Sequence, residues 1–412
     1  MVPLRRGTYE SHPEEFKKWA CFILSASPIF DLDKIESNEY VCPWANNFFV
    51  GLRSKSSSLT FGHKIGLKIE PMQNQDFYLN LASTDLIINR QERYDGGGFS
   101  VSLNDLAPED VSLVLRLYQS LKGIYDLWLY MGESPNYQLL RAHLKQFCTT
   151  KFLMAARAIG VATYTLDNPP PELRKACHDL NGGALSALAG YSKLISRLPE
   201  DDNLVRKAVF LARDHAKMMR NILPDLDVAI RAADESLKLH SISEFVDKWH
   251  ELEVEIGSKR VKVLAQSGFE CYITNRCLES SAVDRILYNY INNAMRFSAG
   301  EHVRLKVIPI NNLLTRWVVE NELTDTQTAW LQEKVGNELQ NLFQGGYTRS
   351  GLGIGLSSCT DLIAASFGIS SNEALEKKYL GAKVHNNIYY AWFHWPIYIQ
   401  QDEKEPLCNC RH

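Results

Sequence analysis

Three consecutive prolines, Pro169-Pro170-Pro171, divide this chain more sharply than any other feature of its sequence. Proline fixes φ and donates no backbone hydrogen bond, so a helix stops before the run, yet its last member can open the next helix. The segment after the prolines has a helical period. Leu173, Cys177, Leu180, Ala184, Leu188, Tyr191, Ile195 and Leu198 recur every three or four residues, which predicts a helix over Glu172–Leu198 with one apolar stripe. The polar stretch Pro199-Glu200-Asp201-Asp202-Asn203 ends it, and a second helix is predicted from Leu204 to about Leu237, bent at Pro224. Two long helices joined so briefly are antiparallel neighbours. Their exposed stripes predict pairing of two copies into a four-helix bundle.

On either side of this hairpin the pattern changes. Residues 1–165 read as an N-terminal mixed region of unassigned type. In it Phe77–Leu81 and Phe99–Leu103 alternate like strands, Tyr94-Asp95-Gly96-Gly97-Gly98 marks a turn, and Pro108–Ala162 is mostly helical. Residues 241–400 mix the two periods. Strands are predicted at Val261–Val263, His302–Val307, Arg316–Val319 and over Asn386–Ile399, with helices at Ser281–Phe297 and Leu352–Phe367. A sheet covered by helices on one face accounts for that pattern. Residues 401–412 form a tail in which Cys408, Cys410 and His412 are too few and too close together for a zinc site. The whole is a multidomain α+β chain: residues 1–165, a hairpin over 166–240, a sandwich over 241–400, and the tail.

Bulk properties narrow the possibilities. With 412 residues there is material for two to four domains, and 45% hydrophobic with 23% charged residues is a globular balance. A formal charge of −3 gives no overall field for nucleic acid or an anionic membrane. No apolar run is long enough for a membrane span, and the first fifteen residues lack the apolar middle of a signal peptide. Nine scattered cysteines, an odd number, suit a reducing cytoplasm.

Three short segments carry chemistry. On the Glu172–Leu198 wheel His178 falls about 125° from the stripe centre, which puts it on the flank of the helix rather than in its core. Asp179 follows it directly, where a carboxylate can orient an imidazole and accept its proton. Asn289, Asn293 and Arg296 share one side of a predicted helix and offer amide oxygens to a hard cation beside a guanidinium for phosphate. Gly351, Gly353 and Gly355 precede an apolar helix, so backbone N–H groups at its start can approach a phosphate. Taken singly, each also reads as something plainer: a surface histidine, a polar helix face, a simple turn.

Their order and spacing resemble the sensor histidine kinase family. His178-Asp179-Leu180-Asn181 resembles its H box, Asn289–Phe297 its N box, Leu342-Phe343-Gln344 its F box, and Gly351–Gly355 its glycine box. The resemblance covers roughly residues 170–400 and implies a dimerising hairpin and an ATP-binding α/β sandwich of the kinase ATPase type, with residues 1–165, by their place before the hairpin, as an input or regulatory domain. It implies that His178 accepts phosphate with Asp179 as base, and that Asn293 ligates Mg²⁺. Asn289, Arg296, Asn321, Gly351, Gly353 and Gly355 would contact the nucleotide, and the segment from Phe343 to Gly351 would close over ATP. The cofactors implied are ATP and Mg²⁺, and the partners are a second copy of the chain and a separate response regulator. Three positions depart from the pattern. Asn321 and Leu323 stand where the family has Asp and Gly against adenine, and Gly182 replaces the Asn or Thr four residues after the histidine. Those departures keep open a non-catalytic docking or phosphotransfer dimer, and the nucleotide fold alone keeps open a molecular-machine ATPase.

Overall fold

The computed structural model describes residues 75–84, 86–88, 100–198, 200–235, 237–256, 259–336, 338–347 and 353–399. The chain divides into Met1–Lys68 and Ile69–His412, and every described residue belongs to the second unit. The Tyr94–Gly98 turn, Gly351 and the Cys408–His412 tail lie outside the described residues.

The elements begin with helix α1 (Gln75–Leu79), followed by α2 (Pro108–Met131), α3 (Tyr137–Phe147) and α4 (Thr150–Arg157). Then come α5 (Pro171–Asn181), α6 (Leu185–Arg197), α7 (Asp202–Ile222) and α8 (Val228–Asp234). The rest alternates: β1 (Leu237–Ser241), α9 (Ile242–Trp249), β2 (Glu253–Ile256), β3 (Lys259–Ser267), β4 (Tyr272–Arg276) and α10 (Cys277–Phe297). β5 (His302–Asn311), β6 (Leu314–Glu322), α11 (Asp325–Lys334), α12 (Gly355–Phe367), α13 (Ser371–Glu376), β7 (Leu380–His385) and β8 (Ile388–Pro396) complete it.

Helix starts follow local chemistry. Pro108 and Pro171 open α2 and α5 at the position where a missing N–H costs nothing. Asp201 caps α7 by accepting from the backbone N–H of Asn203 and Leu204. α6 and α7, joined by a short loop, pack side by side, and α2 lies against α7 while α3 touches both. The apolar stripe is therefore buried inside one chain: Cys177, Leu180, Ala184, Leu188 and Tyr191 have no exposed surface. Leu198 is the exception, 53% exposed beyond the end of α6. The stripe, expected to be buried by pairing of two copies, is covered within one chain by α2, α3 and α4.

The hairpin's first arm is also not one helix. It breaks at Gly182-Gly183, where Gly183 has φ +51°, and a Cβ there would lie 2.8 Å from Met218 Cε and 3.0 Å from His215 Nδ1. Only glycine takes that left-handed conformation cheaply in so close a contact. The second arm ends at Ile222, before Pro224, and Leu237 already begins β1 rather than ending a helix.

The main sheet has the order β2-β3-β5-β6-β8-β7, with β3 and β5 parallel and every other neighbour antiparallel; β1 and β4 make a separate pair. The predicted strands at 261–263, 302–307, 316–319 and 386–399 all lie in it or overlap its strands. α10 and α12 cover one face. The other face is not bare. Tyr78 and Leu81 pack there against Ile308, Val318, Tyr390 and Trp392. Phe77–Leu81, predicted as a strand, forms α1 and the turn after it. The reason is tertiary: buried Arg316 on β6 donates to the carbonyl oxygens of Tyr78 (2.6 Å), Leu79 (2.8 Å), Ala82 and Ser83 (3.0 Å each), satisfying groups that a helix end leaves unpaired. Ser100–Leu103 likewise forms no strand; Ser102 caps a single 3₁₀ turn instead, and Phe99 is outside the described residues.

Candidate functional site

Helix α10 leaves β4 and carries Arg285, Asn289, Asn293 and Arg296 along one side, spaced four, four and three residues apart. Helix α12 begins nearby at Gly355, and no side chain caps its first turn, so its leading N–H groups stay open to an anion. His178 stands near the end of α5, its side chain 26% exposed. These three elements meet at Gly355. A Cβ built there would lie 2.5 Å from Asn289 Oδ1 and 3.1 Å from His178 Cε1. The absence of a side chain at 355 is thus what lets the imidazole and the amide reach the helix start together.

A cavity of ≈ 190 Å³ opens at this meeting point. His178, Asn289, Asn293, Arg296, Asn321, Gly353 and Gly355 all line it, so it gathers every predicted site residue except Asp179, which lies just behind it, and undescribed Gly351. Leu323, Trp330, Leu331, Leu342, Tyr347 and Tyr389 add apolar and aromatic wall. Among the described lining residues there is no carboxylate, while Arg296 contributes a full positive charge. An anionic ligand with a flat apolar part suits such a lining. Gly353, at φ +67°, accepts from Gly346 N–H at 3.2 Å. Asn321, at the end of β6, is buried and donates its amide to Glu322 O at 3.1 Å.

Asp179 points away from solvent. One oxygen lies 3.1 Å from His178 Nδ1, and the other accepts from Arg285 Nε at 3.0 Å and from its Nη2. Burial pushes its carboxyl up, but the Arg285 guanidinium and His178 outweigh burial and hold it at about 2. A carboxylate fixed on Nδ1 favours the tautomer with a proton there, which leaves the lone pair on Nε2. Asn289 Nδ2 donates to Arg285 O at 3.0 Å, so its oxygen is the atom turned toward Gly355. That oxygen, with the Asn293 amide one turn on, is the hard oxygen donor that would suit a Mg²⁺ ion.

Two residues beside the site, Arg285 and His215, are not among those singled out from the sequence. Arg285 does have a signal, since it precedes Asn289 by one helical turn, but its partner is 106 residues away and no spacing reveals that. His215 on α7 is fully buried, with Nε2 3.2 Å from Leu180 O and Nδ1 without a partner among the described residues. Burial lowers its pKa to about 4, despite Leu180 O and Asp179, so the ring is neutral. Across the break, Asn292 of α10 donates to Gly183 O at 3.1 Å, and Lys175 of α5 pairs with Asp361 of α12 at 2.5 Å. The helical part and the sandwich are thereby fastened on both sides of His178.

No family model matches the sequence, and no curated protein matches it either. Solved structures similar to this chain include the mycobacterial sensor histidine kinase MprB, at 12% identity over 40% of this chain and 99% of that one, with a TM-score of 0.27. The Acinetobacter baumannii histidine kinase AdeS is similar at 11% identity, over 60% of this chain and 95% of that one, with a TM-score of 0.23. Full-length ShkA, solved in complex with AMPPNP, is 15% identical over 64% of this chain but only 45% of its own length, with a TM-score of 0.26.

Proposed function

We propose that this chain is an ATP-dependent protein-histidine kinase that phosphorylates His178 and passes the phosphoryl group to an aspartate on a separate response regulator. The observation that carries this reading is the contact of three elements at Gly355, with an imidazole, an amide oxygen and an uncapped helix start around one cavity. The triphosphate would lie against the α12 N-terminus with Arg296 nearby, and the base against Leu323, Trp330 and Tyr389. Asn293, assisted by Asn289, would hold Mg²⁺, which supplies charge neutralisation to the phosphates when bound.

His178 Nε2 attacks in line while Asp179 steadies the proton on Nδ1. With its carboxyl at about 2, Asp179 is too weak a base to keep that proton at neutral pH. Its part is to orient the ring and to stabilise the positive charge that grows on it. Asn321 and Leu323 in the adenine position predict weaker nucleotide binding than an Asp-Gly pair would give. Among the described residues no helix is long and apolar enough to cross a membrane.

Incubating the full chain with γ-labelled ATP and Mg²⁺ tests the proposal. Acid-labile, base-stable label is expected on the wild type and none on His178→Gln. No label on a folded wild type would leave the non-catalytic docking protein as the better reading. Steady ATP hydrolysis that survives His178→Gln would favour a molecular-machine ATPase.

A further inference from the structure

The acceptor histidine and the candidate nucleotide cavity belong to the same chain and already touch. His178 Cε1 lies 3.1 Å from where a Cβ on Gly355 would be, and His178 itself lines the cavity. Nothing in this arrangement calls for a swing of the sandwich. α5 is held to α10 by the buried Arg285–Asp179 pair, to α12 by Lys175–Asp361, and the glycine break after it is held by Asn292. Further along, Lys248 of α9 bridges Asp214 of α7 and Asp284 of α10 at 2.5 Å each, and Arg197 of α6 pairs with Glu255 of β2. The Arg285–Asp179 pair and the Lys248 bridge are buried, where breaking a pair is strongly unfavourable. The bundle is also complete within the chain, since α2, α3 and α4 cover the α5–α7 stripe that a second copy would otherwise have to cover.

We propose that phosphoryl transfer to His178 runs in cis, from the nucleotide bound by the same chain, and that a single chain is the catalytic unit. This rests on the kinase reading and specifies which active site serves which histidine. In the step, the ring nitrogen bonds to the γ-phosphorus as the bond from that phosphorus to the β,γ-bridging oxygen breaks. ADP leaves with the electron pair, and the imidazole's displaced proton passes to solvent. Holding acceptor and donor in one rigid unit makes the reaction unimolecular and removes the entropic cost of bringing two chains together.

Complementation with full-length chains tests this. His178→Gln keeps the nucleotide site and lacks the acceptor, whereas Asn293→Ala keeps the acceptor and lacks the Mg²⁺-binding amide. Mixed together with labelled ATP, they are expected to show no acid-labile label on the Asn293→Ala chain beyond what that chain shows alone. A wild-type dilution series needs no variant. The labelling rate per chain is expected to stay constant across about a hundredfold dilution, as a unimolecular step requires. Label on the Asn293→Ala chain in the mixture would overturn the cis assignment, and a rate per chain that falls with dilution would overturn the single-chain catalytic unit; either leaves the kinase reading standing. A wild type that never labels would instead defeat the kinase reading, and the cis assignment with it.

Discussion

Asp179 makes two contacts, one to the imidazole of His178 and one to Arg285, and the second changes what the first can do. Without Arg285 a buried carboxylate would rise toward the pKa of a useful base; beside it, the group stays ionised at about 2. The pairing therefore stabilises the fold above the usual aspartate range and is lost only as pH falls from about 4 toward 2. His215 works in the opposite sense. Its folded pKa of about 4 lies below the ordinary value near 6.5, so on acidification the unfolded chain takes up a proton first. Stability is lost as pH drops through that window, by about 2–3 kcal/mol at pH 4.5 for this one group. Urea unfolding of wild type and His215→Gln at pH 7 and pH 4.5 checks this. The variant is expected to lose less stability between the two pH values, and equal losses would mean that His215 is not held neutral.

Among the elements, the break between α5 and α6 sets the position of His178, because it ends α5 one turn past the histidine, at Asn181, before α6 begins at Leu185. Gly183→Ala is expected to cost about 2–4 kcal/mol, from a left-handed residue that acquires a Cβ and from the clash with Met218 and His215. Gly123→Ala is the control. It lies inside α2 with nothing within 4 Å of the new methyl group, and is expected to gain up to about 1 kcal/mol. Denaturant midpoints for the two variants should move in opposite directions. The same break shows why helical period reads elements better than their limits. Leu173 to Ile195 keep their stripe across Gly182-Gly183 because both helices face the same core, so periodicity carries no mark of the interruption. The strands are legible because alternation and the aromatic run at 388–396 survive burial on both faces. Phe77–Leu81 is ambiguous in sequence because five residues fit either period, and Arg316, more than two hundred residues away, decides the outcome against a strand.

At the scale of the whole chain, the helical part and the sandwich share one continuous core from Leu106 to Ile397, and the cavity lies at their junction. The composition of the site is readable in sequence: His178, Asn289, Asn293, Arg296, Asn321, Gly353 and Gly355 stand out in short motifs, and they converge. What covers the α5–α7 stripe is not readable there, because an apolar stripe states that it needs a partner without saying which. The central claim is that the cavity at Gly355 receives a magnesium–nucleotide beside His178. A calorimetric titration of the full chain with Mg²⁺ and a non-hydrolysable ATP analogue tests it, run beside Gly355→Ala, whose Cβ would displace Asn289 and crowd His178. Saturable binding by the wild type is predicted, at least about tenfold weaker in the variant, a loss of about 1.4 kcal/mol, with the unfolding midpoint little changed. No binding by the folded wild type, or equal binding by both, would contradict the account.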